Sequence, residues 1–537
     1  MVAPPVAESS DETNKPSKPG GVGRGVLYLA LGNLYFIFAG IAIQFGLPAV
    51  LPRATFGGYT LVNSIASLFN NVFVTGTQQA VSKFVASEPD KARAVEHAGL
   101  RMQLRLGLGV AIAFVAASPV IAHVLHDPDK TTPLMLAGLI IGGYAFYAVF
   151  VGVANGLHLF GKQATLTMIF ATIRAAALIG TAILGAGVAG VIGGWVAAVA
   201  VILVLAIAWI GMPGKIAAAD RLAVSPMIKF FVGVALYLVL FNALMFVDTV
   251  LLKRLMAEYF QAHVTDLGHS ITQTLPWATA ATGYQIDVSA LADVQVAYYA
   301  AVQNLARLSY QIVLAATFVA FPLVSRSTFT NDRDRTRLYV GTTARYTLIA
   351  GAAIGVVMAA NPADVLGFMY ASDFVEHGSA ALPMLAIGNV AFSIIAIAGT
   401  IFNGAGRARV AIVLAAITLA IATIGNYIAI PLAAGTGHVL EVAAAVTGGT
   451  MVLGAIVSGI LLHRQFGASL SLVSVARIAL ATGAAIAVGH FLPLHGKLGT
   501  LVEAGLVIAT YVVVLVLSRE LGAKDLAAIK TLRRAKA

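Results

Sequence analysis

The chain has 537 residues, of which 59% are hydrophobic and only 11% charged, with a mean hydropathy of +0.89, whereas a typical soluble domain is about 25% charged. So few charged side chains cannot cover a soluble surface of this size, and the same composition excludes disordered, fibrous and nucleic-acid-binding classes despite a net charge of +11. There is no cysteine, so disulfide and thiolate-metal frameworks are excluded too.

Residues 1–23, rich in Pro, Ser and Gly, read as a disordered cytoplasmic tail. Apolar stretches of about 18 residues or more are candidate membrane spans. They fall near 26–50, 58–82, 104–126, 134–154, 165–187, 189–211, 228–252, 294–325, 342–366, 380–403, 410–431, 441–462, 476–493 and 498–518, which makes fourteen. The first, Val26 to Val50, is too long for the apolar region of a signal peptide and has no small-residue cleavage site after it. The fold class predicted is an all-α polytopic membrane protein. Residues 24–226 and 227–463 would form two six-helix bundles, 464–518 two extra helices, and 519–537 a basic cytoplasmic tail.

With the N-terminus inside, the outer segments hold only Arg53, Lys130, Lys253, Arg254 and Lys497, while Arg174 and Arg307 lie within spans. The remaining Lys and Arg fall in inner segments. This asymmetry follows the positive-inside rule and places both termini on the cytoplasmic side of the membrane. The surplus charge is then a topology signal.

Two halves of the chain repeat. GVANGLHLFGKQATLTMIFAT follows the fourth span and GTIFNGAGRARVAIVLAAIT the tenth, with Asn155–Gly156 and Asn403–Gly404 as anchors. A glycine that accepts the left-handed conformation gives such a turn a local reason. The second and eighth spans correspond more loosely, as GGYTLVNSIA against AYYAAVQNLA, closing with Ser82–Lys83 and Ser325–Arg326. Repeats of the same orientation are common in secondary transporters, whose substrate sites lie between the halves.

Several segments resemble one known family. TGTQQAVSKFVA (75–86), YYAAVQNLARLSYQIVLAATFVAFPLVS (298–325), IFNGAGRARVAIVL (401–414) and NYIAIPLAAGTGHVLEVAAAV (426–446) are similar to signatures of the polysaccharide-exporting flippases. That family comprises Wzx-type oligosaccharide flippases and stage V sporulation protein B relatives, in the superfamily that also holds multidrug (MATE) exporters and lipid II flippases. The resemblance implies fourteen helices in two bundles forming a V that opens alternately to each side. It implies a lipid-linked oligosaccharide as cargo, membrane lipid around it, and a polysaccharide polymerase and glycosyltransferases as partners. The chain departs from the pattern at His438 to Glu441 and in the longer segment 253–292.

The chemistry required is to pass a charged pyrophosphate and a sugar through hydrocarbon, where one unpaired polar group costs roughly 2–7 kcal/mol. Intramembrane cations and neutral hydrogen-bonding side chains are the expected signature. Arg307 is the leading candidate, since Tyr299, Gln303, Arg307 and Tyr310 share one helical face, with Asn304 beside them; a guanidinium holds pyrophosphate bidentately. The alternative is an Arg satisfied by backbone carbonyls. Arg174 is a second cation, lining the cavity or snorkelling, and Arg53, Lys253 and Arg254 form a ring at the outer mouth or anchor the interface. Asp248 is a candidate ion-coupling acid for H⁺ or Na⁺, or else a helix-end partner of Lys253. Asn33, Gln44, Asn63, Asn70, Asn71, Gln78 and Gln79 make the first two spans polar, with Asn242 and Asn389 weaker candidates in the second half. These amides can meet sugar hydroxyls or bond between helices.

No phosphate-binding GxxxxGK[ST] loop occurs and the 11 His show no metal-ligand spacing. The chain is therefore expected to be no enzyme and to need no metal or other cofactor, ion coupling apart. Segment 253–292, with Trp277, caps the cavity or is a solvated insertion. A lipid II flippase, an ion-coupled multidrug exporter, a membrane enzyme such as a polysaccharide polymerase or prenyl-linked glycosyltransferase, and a scaffold without a transport cycle stay open as rivals. Two buried arginines against one aspartate favour an anionic cargo over a cationic drug.

Overall fold

The computed structural model describes residues 19–217, 220–265, 287–311, 324, 327–328, 332–468, 471–492, 494 and 496–522, and no strand occurs among them. The first half of the chain forms α1 (Pro19–Val50), α2 (Arg53–Ser87), α3 (Ala92–Arg105), α4 (Gly107–Val124), α5 (Thr131–Gly156), α6 (Phe160–Ile183) and α7 (Gly187–Ile210). The second forms α8 (Ser225–Ala262), α9 (Val288–Ala306), α10 (Arg333–Ala360), α11 (Pro362–Met369), α12 (Ser372–Gly378), α13 (Leu382–Gly404), α14 (Ala408–Ala433) and α15 (Val439–Phe466). Helices α16 (Leu472–Phe491) and α17 (Lys497–Leu517) follow.

Among the described residues, 12 helical segments are long and apolar enough to cross a membrane. Each coincides with one of the fourteen expected spans. The two not among them are 58–82, which is the long but amide-rich α2, and 294–325, of which α9 and the residues to 311 are described. Both carry amides in their described parts, Asn63, Asn70, Asn71, Gln78 and Gln79 in α2 and Gln295, Gln303 and Asn304 in α9. Large apolar side chains such as Phe38, Leu184, Leu432 and Leu517 are exposed, as a lipid-facing surface requires.

Close helix contact in lipid depends on small residues. Gly388 of α13 meets Gly448 of α15 so tightly that a Cβ at Gly388 would lie 2.5 Å from the Gly448 Cα. In the first half α1 lies on α6, α2 on α5, and α7 on α5 and α6; in the second α13 lies on α10 and α15, and α14 on α8 and α15. Helices α16 and α17 pair with each other and rest on α10. The halves meet where α2 runs against α8 and α9. There Phe73 stacks on Phe231 with ring centroids 5.6 Å apart, and Asn71 donates to the Asn242 carbonyl oxygen at 2.7 Å.

Some local expectations need correction. The left-handed residue after α5 and α13 is neither Gly156 nor Gly404 but His158 (φ 57°) and Gly406 (φ 75°), two positions later in both repeats. The Leu159 amide donates to the Ala154 carbonyl and Arg407 to Phe402, so both loops close with the same helix-ending hydrogen bonds. Gly156 serves packing instead, since a Cβ there would lie 2.6 Å from the Val85 Cβ. The stretch 253–292 is not a loop throughout: α8 continues to Ala262 and α9 begins at Val288. Trp277 lies outside the described residues, and α1 already begins at Pro19, inside the expected tail.

Candidate functional site

Two buried polar clusters occupy α8 and α9. The first lies inside the second half and gathers residues that helical spacing had placed on one face. Asp248 accepts at Oδ2 from the Tyr299 hydroxyl (2.8 Å) and Gln303 Nε2 (2.9 Å), and at Oδ1 from the Thr249 amide (2.8 Å). Gln303 Oε1 in turn accepts from the Thr249 hydroxyl (3.0 Å) and from Arg307 (3.1 Å). Gln303 is thus the relay between acid and cation. Arg307 also donates to the Met245 carbonyl and sits over the Phe246 ring, 4.7 Å from its centroid. Asp248 makes no direct ion pair among the described residues; its hydrogen-bond donors are all neutral. Beside it is a cavity of about 10 Å³ lined by Asp248, Gln303, Arg307, Asn389 and Thr447, room for roughly one water or one bare ion.

The second cluster closes the end where α1 turns into α2. Lys130 pairs with Asp127 (2.8 Å) and Asp293 (2.7 Å), and Lys253 pairs with the same two, at 2.8 and 2.7 Å. Lys253 is fully buried and also donates to the carbonyl (2.9 Å) and hydroxyl (3.0 Å) of Ser289. Its partner is therefore not Asp248. The square fits because α2 presents Gly57 and Gly58 to it. A Cβ at Gly57 would lie 1.8 Å from the Asp293 carbonyl oxygen, and one at Gly58 2.7 Å from Lys130 Cε. Nearby, Arg53 donates to both carboxylate oxygens of Asp373 (2.7 and 3.0 Å) and lies over Phe374. That hydrogen bonding holds the Asp373 carboxyl below its ordinary 3.8.

The other candidates are scattered. Arg174 stacks over Trp195, 4.5 Å from the ring centroid, in a setting of Tyr59 and Tyr144, and its buried Nε has no hydrogen-bond partner. It makes no ion pair among the described residues. Arg254 likewise has a buried Nε without a partner. Asn304 reaches the Tyr370 hydroxyl at 3.4 Å. Asn33 is exposed on α1 and Asn63 half-buried on α2, so neither joins the Asp248 cluster. A wider depression of about 410 Å³ lies at the opposite end among Arg337, Arg345, His463 and Ser471, away from both clusters. Asp127, Lys130, Asp293 and Asp373 were not singled out from sequence. The Asp-Pro-Asp-Lys run at 127–130 reads as an ordinary charged turn until α9 is brought against it.

The polysaccharide biosynthesis protein family matches residues 22–328. Among solved structures, a lipid II flippase MurJ in an inward closed conformation is 12% identical, covering 93% of this chain and 99% of its own, with a TM-score of 0.69. An inward-facing multidrug resistance MATE transporter is 17% identical over 82% of this chain and 98% of its own, with a TM-score of 0.57. A MOP superfamily transporter from Pyrococcus furiosus is 15% identical over 83% and 95%, with a TM-score of 0.58. These likenesses show a shared fold. No curated protein matches the chain by sequence.

Proposed function

The chain belongs to the polysaccharide biosynthesis protein family, and on that premise we propose that it moves a polyprenyl-pyrophosphate-linked oligosaccharide from the inner to the outer leaflet by alternating access. The observation that carries this reading is the seam between the halves. Its two facing helices both carry amides, Asn63, Asn70, Asn71, Gln78 and Gln79 on α2 and Gln295, Gln303 and Asn304 on α9. Helices that trade hydrocarbon compatibility for amides suit a hydrated path for a sugar, while the prenyl tail stays in lipid. The end closed by the Lys–Asp square would face outward, with both termini cytoplasmic, as the distribution of basic residues supports.

Two arginines would serve the anion in different ways. Arg307 is tied to Asp248 through Gln303, so its charge is partly answered. Arg174 lies over the Trp195 ring and beside the Tyr59 hydroxyl, with no carboxylate paired to it among the described residues, which makes it the stronger anion subsite of the two. Asp248, with its ion-sized cavity and neutral donors, would bind the coupling Na⁺ or H⁺. Arg53 and Arg254 would meet the headgroup only after the square opens. A drug exporter is the second reading, favoured by Asp248 alone.

Reconstitution into vesicles with fluorescent lipid-linked oligosaccharide in the inner-equivalent leaflet tests this. Wild-type protein should expose the label to an added quencher, and Arg174→Ala should slow that exposure by about tenfold, as loss of one charge-assisted contact implies. Unchanged rates in both Arg174→Ala and Arg307→Ala would remove the anion sites; label that never crosses would remove the cargo.

A further inference from the structure

We propose that Asp127, Lys130, Lys253 and Asp293 are a two-position ion lock, in which every charge has one partner on its own half and one across the seam. The inference rests on the alternating-access reading above, and concerns how the halves part, not what they carry.

The geometry is a square with two kinds of edge. Lys130–Asp127 and Lys253–Asp293 are same-half edges, at 2.8 and 2.7 Å; Lys130–Asp293 and Lys253–Asp127 are cross-half edges, at 2.7 and 2.8 Å. All four residues are buried. Separating an ordinary buried ion pair leaves a bare charge in a poor solvent, and that is strongly destabilising. Here separation leaves two intact pairs. Lys130 and Asp127 sit three residues apart on one turn and move as a body. Lys253 and Asp293 join the neighbouring helices α8 and α9, and the Ser289 carbonyl and hydroxyl give Lys253 two further own-half acceptors.

The cross-half edges therefore bias the end toward closure, and the same-half edges keep the open form from leaving orphan charges. The glycines at 57 and 58 make the closed form reachable, because α2 touches α9 and the Lys130 stem without an intervening side chain. The arrangement also implies that opening does not release the two lysines as free cations for the headgroup. They leave the seam already paired, whereas Arg254, next to Lys253 in sequence, makes no ion pair among the described residues and has a buried Nε without a hydrogen-bond partner.

Exchange of charges separates the two kinds of edge. Asp127→Lys with Lys130→Asp keeps the same-half pair but makes both cross-half contacts like-charged. Adding Lys253→Asp and Asp293→Lys restores opposite charges everywhere. The chain has no cysteine, so Ser64→Cys, buried on α2 at i+7 from Gly57 and hence on the same helical face, supplies a single thiol reporter. Its reaction with a membrane-impermeant thiosulfonate from the outside reads opening directly. The two-site exchange should raise the labelling rate by about tenfold or more, and the four-site exchange should return it to within about threefold of the parent. Asp293→Asn, a milder change, should give an intermediate rise. Labelling that stays at the parent rate in the two-site exchange, or stays high in the four-site exchange of a monodisperse protein, would overturn the lock. Labelling needs no cargo, so a failed oligosaccharide assay leaves this result intact, and the reverse holds as well.

Discussion

The square at the α1–α2 end and the cluster around Asp248 are both buried and both built on α8 and α9, yet they balance charge in opposite ways. In the square each ion touches two of opposite sign. Around Asp248 the contacts come from a tyrosine, a glutamine and a threonine, with Arg307 one residue removed behind Gln303. A square of mutual pairs has nothing to gain from another ion and is suited to holding or changing shape. A carboxylate held by neutral donors beside an ion-sized cavity is suited to changing charge. The two are joined mechanically, because Asp248 and Lys253 lie on one helix while Tyr299, Gln303 and Asp293 lie on another. A shift of α8 against α9 at one cluster moves the residues of the other, because both clusters bridge the same two helices.

The sharpest way to break this contrast is to deny the square its geometry. Gly57→Val places carbon where the Asp293 carbonyl already is, so the closed end cannot form. Transport should fall by more than about tenfold whether or not an ion gradient is imposed. Asp248→Asn should instead remove only the gradient-dependent part, by up to about tenfold, leaving potential-driven movement, since one charge crossing 100 mV is worth ~2.3 kcal/mol; vesicles with and without a Na⁺ or H⁺ gradient distinguish the two. Arg307→Lys keeps the charge but loses the planar guanidinium, whose Nη2 donates to both the Met245 carbonyl and Gln303, and its stacking on Phe246. A loss of roughly threefold is expected, with the ion-concentration dependence displaced.

The smallest effect should come at the rim. Arg53 and Asp373 are about a third exposed, and pairs of that kind contribute at most about 1 kcal/mol. Asp373→Asn should therefore change transport by no more than about threefold. Because Arg53 holds the Asp373 carboxyl below its ordinary 3.8, the stability from the contact is present above that value. It is lost only as the pH falls below it, so the ratio of thiol labelling in Asp373→Asn to that in the parent should be constant from pH 5 to 8, the thiolate fraction cancelling in the ratio.

Much of the fold was legible in hydropathy, because twelve of the spans are apolar enough to be recognised residue by residue. The amide-rich α2 was legible too, through the length of its run and its likeness to the eighth span. Within the site, helical spacing was enough to bring Tyr299, Gln303 and Arg307 to one face, and Asp248 stood out as an acid in an apolar run. That these meet one another required the packing of α8 on α9. The square was not legible for the same reason. Asp127, Lys130 and Asp293 each sit near a span end, where a charge needs no explanation, and only tertiary contact across more than a hundred residues shows that they are buried and paired. Lys253 illustrates the limit well: five residues from Asp248 on one helix, it pairs with residues 126 positions before and 40 after it instead.

The most direct measurement places anionic and cationic cargo in competition in the same vesicles. Wild-type protein should move labelled polyprenyl-pyrophosphate oligosaccharide to the quencher-accessible leaflet at a rate well above protein-free vesicles, and a lipophilic cationic dye should neither cross nor slow it. Export of the dye, with the lipid-linked sugar left in place, would contradict the account.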